Sequence, residues 1–212
     1  MALTNKPKKQ RIFLSVAHGK INQKHQDGTV DSFTDLDGRI TAISQKTVNF
    51  GKGEETFVEI TVTDNGQDYV LSFNKSSHQF RQVIAKLASD KDFASKVITF
   101  TVWENKDGYT QVSMHADGVK MMKPEKLEYP KLEYVTIAGK DVPNPEKRDA
   151  YVEKVLSRVV KYFNDYMTDQ AKEQEAMADI PDDLPEDMPE ECMQQKPIAP
   201  AAAPADPADD DW

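Results

Sequence analysis

Thr56-Phe57-Val58-Glu59-Ile60-Thr61-Val62-Thr63-Asp64-Asn65-Gly66-Gln67-Asp68-Tyr69-Val70-Leu71-Ser72-Phe73 alternates apolar and polar residues on both sides of a tight-turn signal. Val58, Ile60 and Val62 face one side, and Phe57, Glu59, Thr61 and Thr63 the other, the period-two pattern of a half-buried strand. Asn65-Gly66 is a strong hairpin turn pair, because both residues tolerate positive φ. Tyr69 to Phe73 is therefore the return strand. Upstream, Arg39 to Phe50 is a long β-like run carrying Ile40, Ile43, Val48 and Phe50. Its alternation breaks near Ala42-Ile43, which predicts a bulge or bend, and Gly51-Lys52-Gly53-Glu54 turns it into the next strand. Downstream, Ser76 or Ser77 caps a helix whose Phe80, Val83, Ile84 and Leu87 share one face. Lys96 to Trp103 is another alternating strand, with Ile98, Phe100 and Val102 inward and Thr99, Thr101 and Trp103 outward. Asn105-Lys106-Asp107-Gly108 is a turn, and Tyr109 to His115 pairs back, which makes Trp103 and Tyr109 near-opposite neighbours.

From Arg39 onward the order is strand, strand, strand, helix, strand, strand. That is the order of the OB-fold, a five-stranded partly open barrel that binds oligonucleotides and oligosaccharides. The alternatives are another small barrel, or a twisted sheet with one helix. Arg11 to Val16 reads as an extra strand at an edge, and residues 22–38, with Gly28 and Gly38, as a loop. Residues 1–10, with Lys6, Lys8 and Lys9, read as a flexible basic arm. Asn144-Pro145 opens a C-terminal helix, a capping Asn before a Pro in the first turn. Val152, Val155, Leu156, Val159, Val160 and Phe163 form its apolar stripe. The stripe is expected to dock on the barrel, with self-association as a homodimer the other use. The expectation is thus a mainly β chain: arm 1–10, OB-fold domain 11–143 with one inserted helix, C-terminal helix 144–168, and disordered acidic tail 169–212.

The net charge of −9 is a property of that tail. Residues 171–212 hold 13 Asp/Glu against 2 Lys, whereas residues 1–170 hold 23 Asp/Glu against 25 Lys/Arg. Asp179-Ile180-Pro181-Asp182, Asp183-Leu184-Pro185-Glu186 and Asp187-Met188-Pro189-Glu190 repeat one acidic pattern. Proline at every fourth position forbids helix and ladder alike, and so polar a segment cannot bury enough surface to order itself. A nearly neutral body with a long acidic arm points to a nucleic-acid-binding body.

The other motifs exclude more than they assign. The single Cys192 makes no intramolecular disulfide or cysteine-based zinc cage and suits a reducing cytoplasm. No signal peptide and no membrane span are read. His18, His25, His78 and His115 lack metal-ligand spacing, and the acidic Asp31…Asp35-Leu36-Asp37-Gly38 run lacks the spacing of a calcium loop. No metal, cofactor or enzyme is expected. The outward aromatics Trp103, Tyr109 and Phe57 suit base stacking, which tolerates any sequence. Arg39, Lys46, Lys52, Lys75 and Lys106 fall near the same face and its turns, where phosphates would need neutralising, and Lys120, Lys123, Lys126 and Lys131 follow.

With its OB-like order over residues 39–115 and its ending Asp209-Asp210-Asp211-Trp212, the chain resembles single-stranded-DNA-binding proteins of the bacteriophage type. Such proteins end in a flexible acidic tail with a terminal aromatic; bacterial relatives carry phenylalanine after proline where Trp212 stands. The resemblance implies a replication, recombination and repair accessory in the bacterial host cytoplasm. It would coat single-stranded DNA and recruit polymerase, helicase or primase through Asp209, Asp210, Asp211 and Trp212. Two rival readings stand beside it: a phage inhibitor whose acidic tail mimics DNA, and an RNA-binding OB module.

Overall fold

The hairpin centred on Asn65-Gly66 forms as its alternation predicts and organises the sheet around it. In a computed structural model, which describes residues 11–178 apart from positions 50, 52 and 125, it comprises β5 (Glu54–Asp64) and β6 (Gln67–Asn74). Ile60 pairs with Leu71 and Val58 with Phe73, so each inward residue meets another inward residue. Ahead of them lie β1 (Arg11–Ala17), β2 (Lys20–Lys24), β3 (Val30–Phe33) and β4 (Asp35–Asn49). Helix α1 (His78–Leu87) and a single 3-10 turn (Phe93–Ser95) follow β6, and then come β7 (Ile98–Glu104), β8 (Thr110–Ala116) and β9 (Val119–Lys120). A separate hairpin, β10 (Glu133–Ile137) and β11 (Lys140–Asn144), precedes α2 (Glu146–Ala178). The chain divides into two units, Met1–Lys172 and Glu173–Trp212. The expected arm at 1–10, and the tail from 179 to 212 with Cys192 and Asp209 to Trp212, lie outside the described residues.

The architecture is mainly β. One sheet runs β3-β2-β1-β6-β5-β4-β7-β8-β9, and every neighbouring pair is antiparallel except β1 and β6. Strand β4 serves two partners: Asp35 to Gly38 pair with β7, and Arg39 to Asn49 with β5. The predicted irregularity is a register shift between Ile40 and Ala42, so the strand bends as it changes partner.

Three expectations are corrected here. The N-terminal strand is not at an edge: β1 lies inside the sheet, parallel to β6 on one side and antiparallel to β2 on the other. Residues 22–38 are not a loop but contain β3, most of β2 and the start of β4. Finally, the ladder does not close on itself: its order leaves β3 and β9 as edges. Two features account for this. β1 occupies the side of β6 that a closing strand would take. On β8, the Val112 N–H donates to Gln82 Oε1 at 2.8 Å and the Val112 carbonyl accepts from Lys86 Nζ, both side chains of α1. A helix thus satisfies backbone groups that would otherwise seek another strand. Burial, with Lys120 nearby, lowers the Lys86 pKa from its ordinary value. The hairpin tip between β1 and β2 reaches β8 through a Gly19 N–H to Thr110 Oγ1 bond of 3.0 Å.

The core fills the inner side of the sheet. Phe80, Val83, Ile84 and Leu87 of α1 are buried with Val58, Ile60, Leu71, Ile98, Phe100 and Met114. Ser77 caps α1 as expected, accepting from the Phe80 N–H at 3.1 Å. Asn144, the last residue of β11, accepts from the Glu146 N–H at the start of α2 at 3.0 Å. The α2 stripe is used intramolecularly: Val152, Val155, Leu156, Val159 and Phe163 are buried in the same core. Tyr151 packs edge-on to Tyr129, with ring centroids 5.6 Å apart, and the Tyr129 hydroxyl donates to the Arg81 carbonyl at 2.9 Å. Burial raises the Tyr129 pKa well above the ordinary phenol value. Helix α2 also runs ten residues past the expected end at 168, because Asp169 to Ala178 consists largely of good helix formers and the first later proline is Pro181.

Candidate functional site

The outer side of the sheet differs in chemistry from the inner side. Along β5 it carries Phe57, Glu59, Thr61 and Thr63, and across β6 it carries Asp68, Val70, Ser72 and Asn74. Along β4 it carries Arg39, Ala42, Ser44 and Lys46. Lys46 is directly opposite Phe57, so a cation and a half-buried aromatic share one cross-strand position. Arg39 pairs with Thr63, which in turn donates to Asp68 at 2.8 Å. Both Arg39 and Lys46 are exposed.

Trp103 and Tyr109 stand exposed, at 43% and 66%, around the β7–β8 turn. Their expected near-opposite pairing is corrected by the register. Trp103 faces Gln111, and Glu104 faces Thr110, the first residue of β8. Tyr109 lies in the turn, two residues before Gln111, so the two rings are diagonal rather than opposed, at a spacing large rings can still bridge. The turn is held by Asn105, whose N–H donates to the Tyr109 carbonyl at 2.9 Å and whose side chain accepts from the Asp107 and Tyr109 N–H groups. This fixes the segment that carries exposed Lys106. Gln111, beside Trp103, accepts from Gln82 at 2.5 Å, so α1 braces the strand beneath the indole.

The remaining residues divide. Lys75 is turned toward α2, where it forms an ion pair with Glu153, and it also donates to Gln45 of β4 at 3.3 Å. It helps hold the helix rather than lining the aromatic turn. Lys52 and the tip residues Asp209, Asp210, Asp211 and Trp212 lie outside the described residues. Asp35 and Asp37, on the outer side of β4 beside β7, were not among the expected site residues. Hydrogen bonds from Thr34 and then Thr101 hold the Asp35 carboxyl below the usual range, so Asp35 is a carboxylate at neutral pH. A polyanion reaching Trp103 would therefore run past the Lys106 turn, not down this end of β4.

Among the described residues no three His, Cys, Asp or Glu side chains cluster as a metal site, and no helix is long and apolar enough to cross a membrane. The chain matches no family model, no curated protein and no solved structure.

Proposed function

We propose that this chain binds single-stranded nucleic acid, DNA in the first instance, without sequence preference and as a non-catalytic accessory of replication, recombination and repair. The observation that carries the reading is the turn at 105–108, where two exposed aromatics and Lys106 stand together on a braced hairpin. Exposed rings offer stacking to any base, and cations at their rim neutralise phosphate. The strand–strand–strand–helix–strand–strand run from β4 to β8 has the element order of an OB-fold, which supports this reading. On this reading the acidic segment ending in Asp209-Asp210-Asp211-Trp212 recruits a polymerase, helicase or primase.

Replacing Trp103 by alanine is expected to weaken oligothymidylate binding about tenfold, or roughly 1–2 kcal/mol. The melting temperature should hardly change, because the indole is already half in solvent. Fluorescence-anisotropy titration of a labelled oligonucleotide measures the first quantity and circular dichroism the second. Unchanged affinity in a folded variant would remove the stacking claim and leave the turn as a protein interface. Tighter binding to an RNA of matched sequence would favour the RNA-binding reading.

A further inference from the structure

The N-terminal strands, read from sequence as an edge strand and a loop, carry a surface of the same chemistry as the proposed site. The face of β1 opposite its buried Leu14 presents Arg11, Phe13 and Ser15, all exposed, and Phe13 is 60% exposed. On β2 the corresponding face carries Lys20, Asn22 and Lys24, with Ser15 directly opposite Asn22. Phe13 and Lys24 line one open hollow together with Arg11, His25 and the acidic Asp27.

Parallel pairing places this surface beside the outer side of β6. Phe13 adjoins Val70, Val70 adjoins Thr61, and Thr61 adjoins Ala42; Ser15, Ser72, Glu59 and Ser44 form the next row. The floor of this strip is small and hydroxyl-rich, with Val70 and Thr61 buried. Phe13 and Phe57 share this side, roughly 16 Å apart by strand and residue spacings. At its far end the hairpin tip meets the aromatic turn: a Cβ on Gly19 would fall 2.6 Å from the Glu104 nitrogen and 2.9 Å from the Trp103 carbonyl carbon. Among the described residues Arg11, Lys20 and Lys24 form no ion pair. Glu59 and Asp68 are carboxylates of the strip; Asp68 stands across from Arg11 and is engaged by Thr63.

We propose that the β1–β2 hairpin is a second stacking and phosphate-binding element for single-stranded nucleic acid, with Phe13 as its base platform and Arg11, Lys20 and Lys24 as its phosphate contacts. The inference rests on the single-strand reading of the Trp103 turn and extends it across the strip. The chemistry favours a polyanion with planar apolar faces: an exposed ring flanked by cations that form no ion pair among the described residues matches alternating base and phosphate, whereas an apolar protein partner would leave three charges at its interface.

The test compares Phe13→Ala, Lys24→Gln and Trp103→Ala with the full-length protein in oligothymidylate titrations at several salt concentrations. Phe13→Ala should weaken binding about fivefold with an unchanged melting temperature. Lys24→Gln should lower the slope of log affinity against log salt by about 0.7. The lysine change keeps the test standing if the phenylalanine variant folds poorly. Wild-type affinity for both variants, with Trp103→Ala still weakened, would overturn the hairpin proposal and leave the Trp103 site intact. Intact oligonucleotide binding with a smaller sedimentation coefficient for Phe13→Ala would assign Phe13 to self-association and also overturn it. Absence of binding by the wild-type chain would overturn both readings.

Discussion

Substituting alanine for Gly38 is expected to destabilise the protein by about 3 kcal/mol. Gly38 is the last residue of β4 to pair with β7, opposite Ile98, and its successor Arg39 is the first to pair with β5, opposite Thr63. The strand therefore changes partner at this residue. Its φ of 152° lies where L side chains rarely go, and an added Cβ would meet the Thr63 carbonyl oxygen and Val62 Cγ1, each at 2.7 Å. A backbone oxygen cannot rotate aside, so either β4 lifts from β5 or the Val62 side of the core shifts. Strain of about 1–3 kcal/mol adds to a comparable overpacking cost. For a chain of this size the melting temperature should fall by about 6–12 °C. Thermal denaturation followed by circular dichroism measures it. A shift of less than about 2 °C would mean that β4 does not pass this close to β5.

Oligonucleotide affinity is expected to fall at least about 50-fold between 50 and 200 mM salt, the share of the cations of the first proposed site alone. The estimate follows from four cations of the proposed site, Arg39, Lys46, Lys52 and Lys106, each displacing counterions from one phosphate at about 0.7 in the log–log slope. Arg39 and Lys46 are exposed on the outer side of β4, and Lys106 is exposed in the aromatic turn. Lys75 is left out because Glu153 already neutralises it. Lys46→Gln and Lys106→Gln should each reduce the slope by one step, and Lys75→Gln should leave it unchanged while loosening α2. A slope unaffected by Lys46 and Lys106 would place the phosphates elsewhere.

The parts legible in the sequence are those in which local pattern and burial coincide. β5 and β7 announce themselves because Val58, Ile60, Val62, Ile98, Phe100 and Val102 alternate and are all buried. Asn65-Gly66 and the Ser77 cap are local signals that act locally. β2 and β3 leave little trace, since β2 buries only Ile21 and β3 buries nothing. The β1–β6 pairing joins residues more than fifty positions apart and carries no sequence mark until the neighbouring strand is known. The edge of β8 is covered by Gln82 and Lys86, polar residues that periodicity assigns simply to the outside of a helix. Within the site, alternation puts Trp103 outward and the structure has it exposed, but Tyr109 is its diagonal neighbour because the turn closes between Asn105 and Tyr109, which sets Gln111 across from Trp103. Phe13 carries no sequence mark of its exposure, because an apolar residue between Ile12 and Leu14 reads as one more core position, whereas its neighbour Leu14 is the buried one.

Trp103 also provides the probe for the central claim. The full-length protein should be titrated with oligothymidylate and, separately, with a duplex of the same length at about 50 mM salt, while indole emission is followed. Trp212→Phe, which leaves Trp103 as the one tryptophan, assigns the signal to the proposed platform. Single-strand binding predicts saturable quenching by oligothymidylate, much weaker binding to the duplex, and loss of the quench as salt is raised. Emission that does not respond to oligothymidylate, in a protein that shows no single-strand binding by anisotropy, would contradict it.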